Sequence, residues 1–264
     1  MDTTKYISKL SGHALVFGGS GGIGEKVVEA IIANGASAVS FTYDRNKAKA
    51  DALIEKLAAA GIKAYAAKVN LSETSEVDTF LENAVVETGE EISMVVHAVG
   101  ISPNKHLRTQ TLETTSDAYD DKGWREVFEV NVFGCFISCR SALLRMEKMG
   151  MTGSMVVITS TNGVNSQSSI STHYDCSKSA QIGVMFGLAK EFAQTAHVNG
   201  MAPGWINTPM NDTLPPEERA AEVKKIWIGE FAEPEKIAGP IAHFLSQTAS
   251  FIRGQNIIAD GGHD

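Results

Sequence analysis

The sequence predicts an α/β fold: a single doubly wound domain over residues 1–264, with a parallel sheet of about seven strands and helices on both faces. Three observations predict it. Short apolar runs alternate with stretches of helical spacing along nearly the whole chain. The first run, His13–Phe17, stops at the glycine turn Gly18-Gly19-Ser20-Gly21-Gly22-Ile23-Gly24, after which a helical pattern begins. Residues 94–98 are short and fully apolar, as strands buried on both faces of a parallel sheet tend to be.

The elements follow in order. Val27, Val28, Ile31 and Ile32 share one face of a helix over 25–33, which Asn34-Gly35 closes. Ala38–Tyr43 is the second strand, and residues 47–60, rich in Ala, Leu and Lys, form a helix stopped by Gly61. A third strand at 63–69 and a third helix at 75–88 precede the strand at 94–98. The polar connection 101–123 exceeds an ordinary strand-to-helix loop, which predicts a functional edge. One helix should run from Trp124 to about Met149, then a strand over 154–160 and a helix over 172–194. The strand at 198–202 breaks at Pro203-Gly204. The polar stretch 205–231 holds a short helix opened by Pro215-Pro216, and a helix over 233–247 and a strand at Asn256–Ala259 end the series. No repeat, low-complexity tract or linker interrupts it.

Composition narrows the function. A chain of 264 residues, 43% hydrophobic, can bury a substantial core. Its 23 basic and 31 acidic residues give 23 − 31 = −8, without the basic cluster that a nucleic-acid surface needs. The first ten residues lack the apolar run of a signal peptide, and no uninterrupted apolar segment reaches membrane-span length. The expectation is a cytoplasmic protein with neither nucleic acid nor membrane as partner. Cys135, Cys139 and Cys176 form an odd, sparse set without disulfide-framework or zinc spacing, so Cys135 and Cys139, on one helical face, are expected as buried packing. The seven histidines form no ligand cluster in the sequence, and no catalytic metal is expected. His97 is expected inside with its polar atoms satisfied, and His173 at a rim or in solvent.

Two stretches carry chemistry. In the glycine turn, Gly22 and Gly24 let the backbone approach a pyrophosphate, whose charge the following helix N-terminus favours. In Tyr174-Asp175-Cys176-Ser177-Lys178, helical spacing puts phenol and ammonium on one face, a turn apart. A cation beside a phenol favours the phenolate, which makes Tyr174 a usable general acid or base near neutrality.

These stretches bring a family into view. Residues 17–24 (Phe-Gly-Gly-Ser-Gly-Gly-Ile-Gly) resemble the Thr-Gly-x-x-x-Gly-x-Gly cofactor turn of the short-chain dehydrogenase/reductases. Trp124-x-x-x-Phe128-x-x-Asn131-x-x-Gly134 resembles that family's catalytic-asparagine helix, Ile158-Thr159-Ser160-x-x-Gly163 its catalytic-serine strand end, and Tyr174-x-x-x-Lys178 its active-site pair. Residues 203–210 (Pro-Gly-Trp-Ile-Asn-Thr-Pro-Met) are similar to its nicotinamide loop, and Asp260-Gly261-Gly262 to its closing signature. The matches run in order over essentially the whole chain.

The resemblance implies a Rossmann-type, NAD(P)-dependent enzyme that interconverts a ketone or aldehyde and the corresponding alcohol. Tyr174 would exchange the proton on the substrate oxygen, and Ser160 would hydrogen-bond that oxygen. Lys178 would hold down the phenol's pKa and bind the nicotinamide ribose, and Asn131 would hold a water linking Lys178 to solvent. The implied cofactor contacts are Gly18, Ser20, Gly22, Ile23 and Gly24; Tyr43 and Arg45; Asn70 and Leu71; Gly100; Tyr174 and Lys178; and Pro203, Gly204, Ile206 and Thr208. Family members usually assemble as tetramers or dimers through the two long helices at 124–149 and 172–194.

Several positions depart from the family. His97-Ala98-Val99-Gly100 replaces Asn-Asn-Ala-Gly, and Asn70 replaces an Asp that meets the adenine, though its amide oxygen can still accept. Ser160 to Tyr174 is one residue longer than usual, which leaves Thr161 as an alternative to Ser160; Gly163 keeps its usual distance from Ser160. The segment before the sixth strand is one residue short.

At the end of the second strand, Thr42 or Tyr43 stands where NAD enzymes carry an acidic residue, and Arg45 follows, so NADP is expected over NAD. Asp44, about 20 residues past Gly24, and the absence of a basic residue at Gly21 argue the other way. Alternatives to a general carbonyl reductase are a 3-oxoacyl-thioester reductase of fatty-acid type and a catalytically silent NAD(P)-binding module. An enoyl reductase would place its tyrosine seven residues before Lys178, where this chain has Ser171. The loops at 101–123 and 205–231 should wall the substrate pocket; Lys105, His106 and Arg108 are available there to an anionic substrate, but charges on a loop are more often merely solvated.

Overall fold

The computed structural model describes residues 8–114, 122–212 and 214–264. Seven strands form one parallel sheet: β1 (His13–Phe17), β2 (Ala38–Tyr43), β3 (Lys63–Lys68), β4 (Ile92–His97), β5 (Gly153–Ile158), β6 (Ala196–Pro203) and β7 (Asn256–Ala259). Their spatial order is β3-β2-β1-β4-β5-β6-β7. The chain winds outward from β1 to β3, returns to β4 beside β1, and winds outward the other way.

Strand periodicity divides the core into two layers. Ala14 and Val16 of β1, with Val39 and Phe41 of β2, face α1 (Gly22–Ala33), α2 (Lys47–Ala59) and α8 (Glu235–Leu245). Leu15 and Phe17 face the other side, against α3 (Thr74–Thr88), α5 (Gly134–Lys148) and α6 (Thr172–Glu191). A further helix, α7 (Pro216–Val223), carries no buried residue and starts on Pro216, within the stretch expected to hold a short helix. Fixed φ and a missing N–H suit proline to a first helical turn.

Three expectations change. The first helix starts at Gly22 rather than at residue 25, so its N-terminus lies inside the glycine turn. The helix expected to run unbroken from Trp124 is α4 (Trp124–Phe128), a π turn (Glu129–Phe133) and α5. A π turn widens the helix by one residue, and Asn131 stands at its centre. This 25-residue helical stretch is also long and apolar enough, by length and composition, to cross a membrane, but half of its most apolar window is buried inside the fold. Finally, α6 ends at Glu191 and β6 begins at Ala196, so a four-residue connection absorbs the shortening seen in the sequence.

Candidate active site

Reversal of strand order between β1 and β4 opens a crevice at their carboxyl ends. The glycine turn lines one side of it. Gly18 has φ +83°, a left-handed conformation that side chains rarely adopt, and its N–H donates to Thr42 Oγ1 at 2.9 Å. A Cβ on Gly24 would lie 2.1 Å from the Gly18 carbonyl oxygen, and one on Gly22 would lie 2.8 Å from Thr208 Cγ2. The cradle therefore closes around bare backbone, as a pyrophosphate site at a helix N-terminus requires. These residues fit a nicotinamide dinucleotide.

Across the crevice, α6 presents Tyr174 and Lys178 on one face. Lys178 Nζ lies 5.7 Å from the centre of the Tyr174 ring and donates to the carbonyl of Ile158 at 3.1 Å, where β5 ends. Lys178 is fully buried, and loss of hydration lowers its pKa from 10.5 to about 8. Ser160, also buried, accepts from the N–H of Asn162 at 3.2 Å. Thr161 beside it is equally buried and lines the same cavity, so Ser160 and Thr161 both remain at the site. Gly163 packs where a Cβ would come within 2.7 Å of the Lys178 backbone, which fixes this turn against α6. Asn131 does not line the cavity but braces it from behind: Oδ1 accepts from the N–H of Ile101 at 2.8 Å, and Nδ2 donates to the Ile101 carbonyl and to Ser177 Oγ, both at 2.9 Å.

The cavity these groups share has a volume of about 510 Å³. As expected, Ser102 and Asn104 from the first long loop line it, as do Trp205, Met210 and Glu222 from the second. The part of the first loop at 115–121 lies outside the described residues. Lys105, His106 and Arg108 are not among its lining residues, in keeping with the reading of them as solvated loop charges. Instead the backbone at Lys105 and Leu107 bonds to the carbonyls of Ile170 and Ser169, both at 2.8 Å. A third wall, from Asn162 to Ser171, was not foreseen. Buried Asp175 holds it, accepting from Asn162 Nδ2 at 2.8 Å, Ser171 Oγ at 2.8 Å and the N–H of Ser168 at 2.6 Å.

The remaining residues expected at the cofactor fall into four groups. Ile23, Gly100, Pro203, Gly204, Ile206 and Thr208 line the cavity, and a Cβ on Gly100 would lie 3.3 Å from Lys178 Nζ. Leu71 is buried in the core beside exposed Asn70, whose Oδ1 accepts from the N–H of Ser72 at 3.1 Å. At the end of β2, buried Thr42 is committed to Gly18, and half-buried Tyr43 ends the strand. Asp44 and Arg45 are exposed and pair at 3.3 Å, with Lys68 3.9 Å from the same carboxylate. Ser20 is half-buried within the turn.

Comparison with known proteins agrees with this geometry. A family model described as Enoyl-(Acyl carrier protein) reductase matches residues 18–264. A 3-oxoacyl-[acyl-carrier-protein] reductase of Aquifex aeolicus is 30% identical over 259 residues, covering 96% of this chain and 98% of that one. Among solved structures, the 3-oxoacyl-[acyl-carrier protein] reductase of Brucella melitensis is 30% identical with a TM-score of 0.81, covering 97% of this chain and 92% of the other. A short-chain dehydrogenase/reductase from Serratia marcescens is 28% identical with a TM-score of 0.80, covering 95% and 97%. The chain belongs to the short-chain dehydrogenase/reductase family. It is an NAD(P)-dependent oxidoreductase acting on a CH–OH or C=O group.

In this short-chain dehydrogenase/reductase the histidines differ from expectation. His173 is neither rim nor solvated: it is buried, tilted against Trp124 at 6.1 Å, and its Nε2 has no partner among the described residues. Helix α4 packs over the start of α6 and covers the ring, a tertiary contact that adjacency to Tyr174 could not reveal. His97 is interior, but its Nε2 lacks the expected partner, and burial drives its pKa down to about 3. The fold also groups His97 with Cys135 and Cys139, their ligating atoms within 4.8 Å of one another, a trio that neither residue type showed alone. The Cys139 thiol is pushed up by its hydrogen bond to Cys135 and by burial.

Proposed function

We propose that this enzyme uses NADP(H) to interconvert a ketone or aldehyde and its alcohol, with Tyr174 as the acid/base. The carrying observation is the union, in one cavity, of Tyr174, the buried ammonium of Lys178 and Ser160, opposite a glycine cradle shaped for a dinucleotide. The bound nicotinamide supplies or accepts the hydride. Tyr174 gives its proton to the carbonyl oxygen in reduction and takes it back in oxidation. Ser160 hydrogen-bonds the same oxygen, and Lys178 stabilises the phenolate. Asn131 fixes the Ile101 backbone at the cavity's rear.

NADP is favoured because the end of β2 offers Tyr43 and Arg45, and Asp44 is already balanced by Arg45 and Lys68. Carbonyl rather than enoyl reduction is favoured because the residue seven before Lys178 is Ser171, which has no phenol and gives its hydroxyl to Asp175, whereas the phenol that lines the cavity is that of Tyr174, four before Lys178. The names of the relatives favour a second reading, a 3-oxoacyl-thioester reductase. Exposed Phe133, Phe136 and Leu144 on the helix from Trp124, with Phe186 on α6, support a homodimer or homotetramer through these faces. Three free cysteines suit a reducing, cytoplasmic setting, and the one sheet supports a single domain.

The test is turnover of acetoacetyl-CoA and of small ketones and aldehydes with NADPH. Tyr174→Phe should lower kcat by at least ~100-fold and leave NADPH binding intact. Mutant activity within about a factor of two of wild type would remove Tyr174 from the proposed role.

A further inference from the structure

One buried amide joins the two halves of this site. Gln181, three residues past Lys178 on α6, has no exposed surface. Its Oε1 accepts from Lys178 Nζ at 2.8 Å, and its Nε2 donates to the backbone carbonyl of Asn131 at 3.1 Å. That carbonyl belongs to the π turn, where the helix departs from α geometry. A fully buried amide with both ends engaged is a costly group to place unless both partners are fixed.

The ammonium has three N–H donors. Ile158's carbonyl takes one and Gln181's amide takes another, and both acceptors are neutral. The groups facing Nζ are the Tyr174 ring on its own helix, His97 at the end of β4 and Cys135 on α5. Among the described residues, none of Nζ's hydrogen bonds or ion pairs is to a carboxylate. The hydrogen bonds that hold Nζ are therefore both to neutral dipoles, and Gln181 supplies the shorter of the two.

We propose that Gln181 is a positioning residue of the catalytic centre: it holds the Lys178 ammonium charged and in place, tying it through the Asn131 carbonyl to the π turn, so that the third N–H remains for the Tyr174 side of the cavity. This rests on the proposed role of Tyr174. Gln181 does not itself exchange protons; it acts through Lys178.

The test reads the ionisation of Tyr174 directly, without turnover. Phenolate absorbance is titrated for each protein and its Tyr174→Phe counterpart, and the difference isolates Tyr174. Gln181→Met keeps the length and removes both hydrogen bonds. It should raise the Tyr174 midpoint by about half a pH unit or more, because the ammonium that favours the phenolate is less well held. In a Lys178→Met background, the same substitution should produce no further shift. Far-UV circular dichroism and a cooperative thermal transition verify that each variant keeps its fold. An unmoved midpoint, or an equal shift in the Lys178→Met background, overturns the proposal; a loss of thermal stability with the midpoint unmoved assigns Gln181 to packing alone. Tyr174→Phe turnover separately tests the role of Tyr174, so the two failures are distinguishable.

Discussion

Asp175→Asn should detach one wall of the substrate cavity. The carboxylate accepts three hydrogen bonds, from Asn162 Nδ2, Ser171 Oγ and the N–H of Ser168, at 2.8, 2.8 and 2.6 Å. An amide keeps the shape but offers one oxygen. If that oxygen faces the Ser168 N–H, the new NH₂ meets the Asn162 amide as donor against donor, while the Ser171 hydroxyl can turn to accept. At least one bond is lost, and the others lose the charge that strengthens them. Hydrogen bonds to charged groups contribute about 1.5–3 kcal/mol, and a neutral side chain recovers part of the cost of burying an ion, so the net loss should be about 2–3 kcal/mol. Urea unfolding at pH 7 measures it. All three donors lie in the segment from Asn162 to Ser171, far from the glycine cradle in sequence, so KM for the carbonyl should rise while the NADPH Kd stays unchanged. A variant within about 0.5 kcal/mol of wild type, or an NADPH Kd that moves with KM, would refute this reasoning.

Other perturbations have equally definite outcomes. Gly24→Ala puts a methyl 2.1 Å from the Gly18 carbonyl oxygen, so the turn must open; NADPH affinity should fall at least ~10-fold by fluorescence titration, with a stability loss of about 1–3 kcal/mol. Arg45→Ala should weaken kcat/KM for NADPH by about 1–2 kcal/mol, at the low end because the guanidinium is exposed, and leave NADH nearly unchanged. A wild type preferring NADH, with Asp44→Ala as the damaging change, would mean that Asp44 rather than Arg45 reads the ribose. Burial lowers the pKa of His97 in the folded chain to about 3, below the ordinary histidine value of 6.5, so the unfolded chain binds the extra proton first as pH falls. Its contribution is full above pH 6.5 and is lost toward pH 3; His97→Asn should flatten that part of the stability–pH curve, measured as urea midpoints. Lys178→Met removes an ammonium whose pKa burial has lowered to about 8 but leaves the Gln181 amide oxygen and the Ile158 carbonyl without that donor, so at pH 7 the two effects should offset to within about 1–2 kcal/mol while turnover is lost.

The sequence by itself determined the architecture. Strand runs of period two, helical runs of period 3.6 and the glycine turn are local signals, and β2 and β7 fall on the residues that patterning assigns. Tyr174 and Lys178 were legible because a helix converts spacing into a shared face. Tertiary structure alone decided what surrounds them. Gln181 reaches the carbonyl of Asn131 across 50 residues, and His97 meets Cys135 and Cys139 from another element. Covering by α4 turned His173 from a solvated neighbour into a buried ring. The end of β2 divides the same way: spacing brought Thr42 and Tyr43 to the corner, but the Gly18 N–H claimed Thr42. The physical reason is common to all four. Hydrophobic periodicity is set by each segment's own backbone, whereas the partner and charge state of a buried polar group depend on which distant segments pack against it.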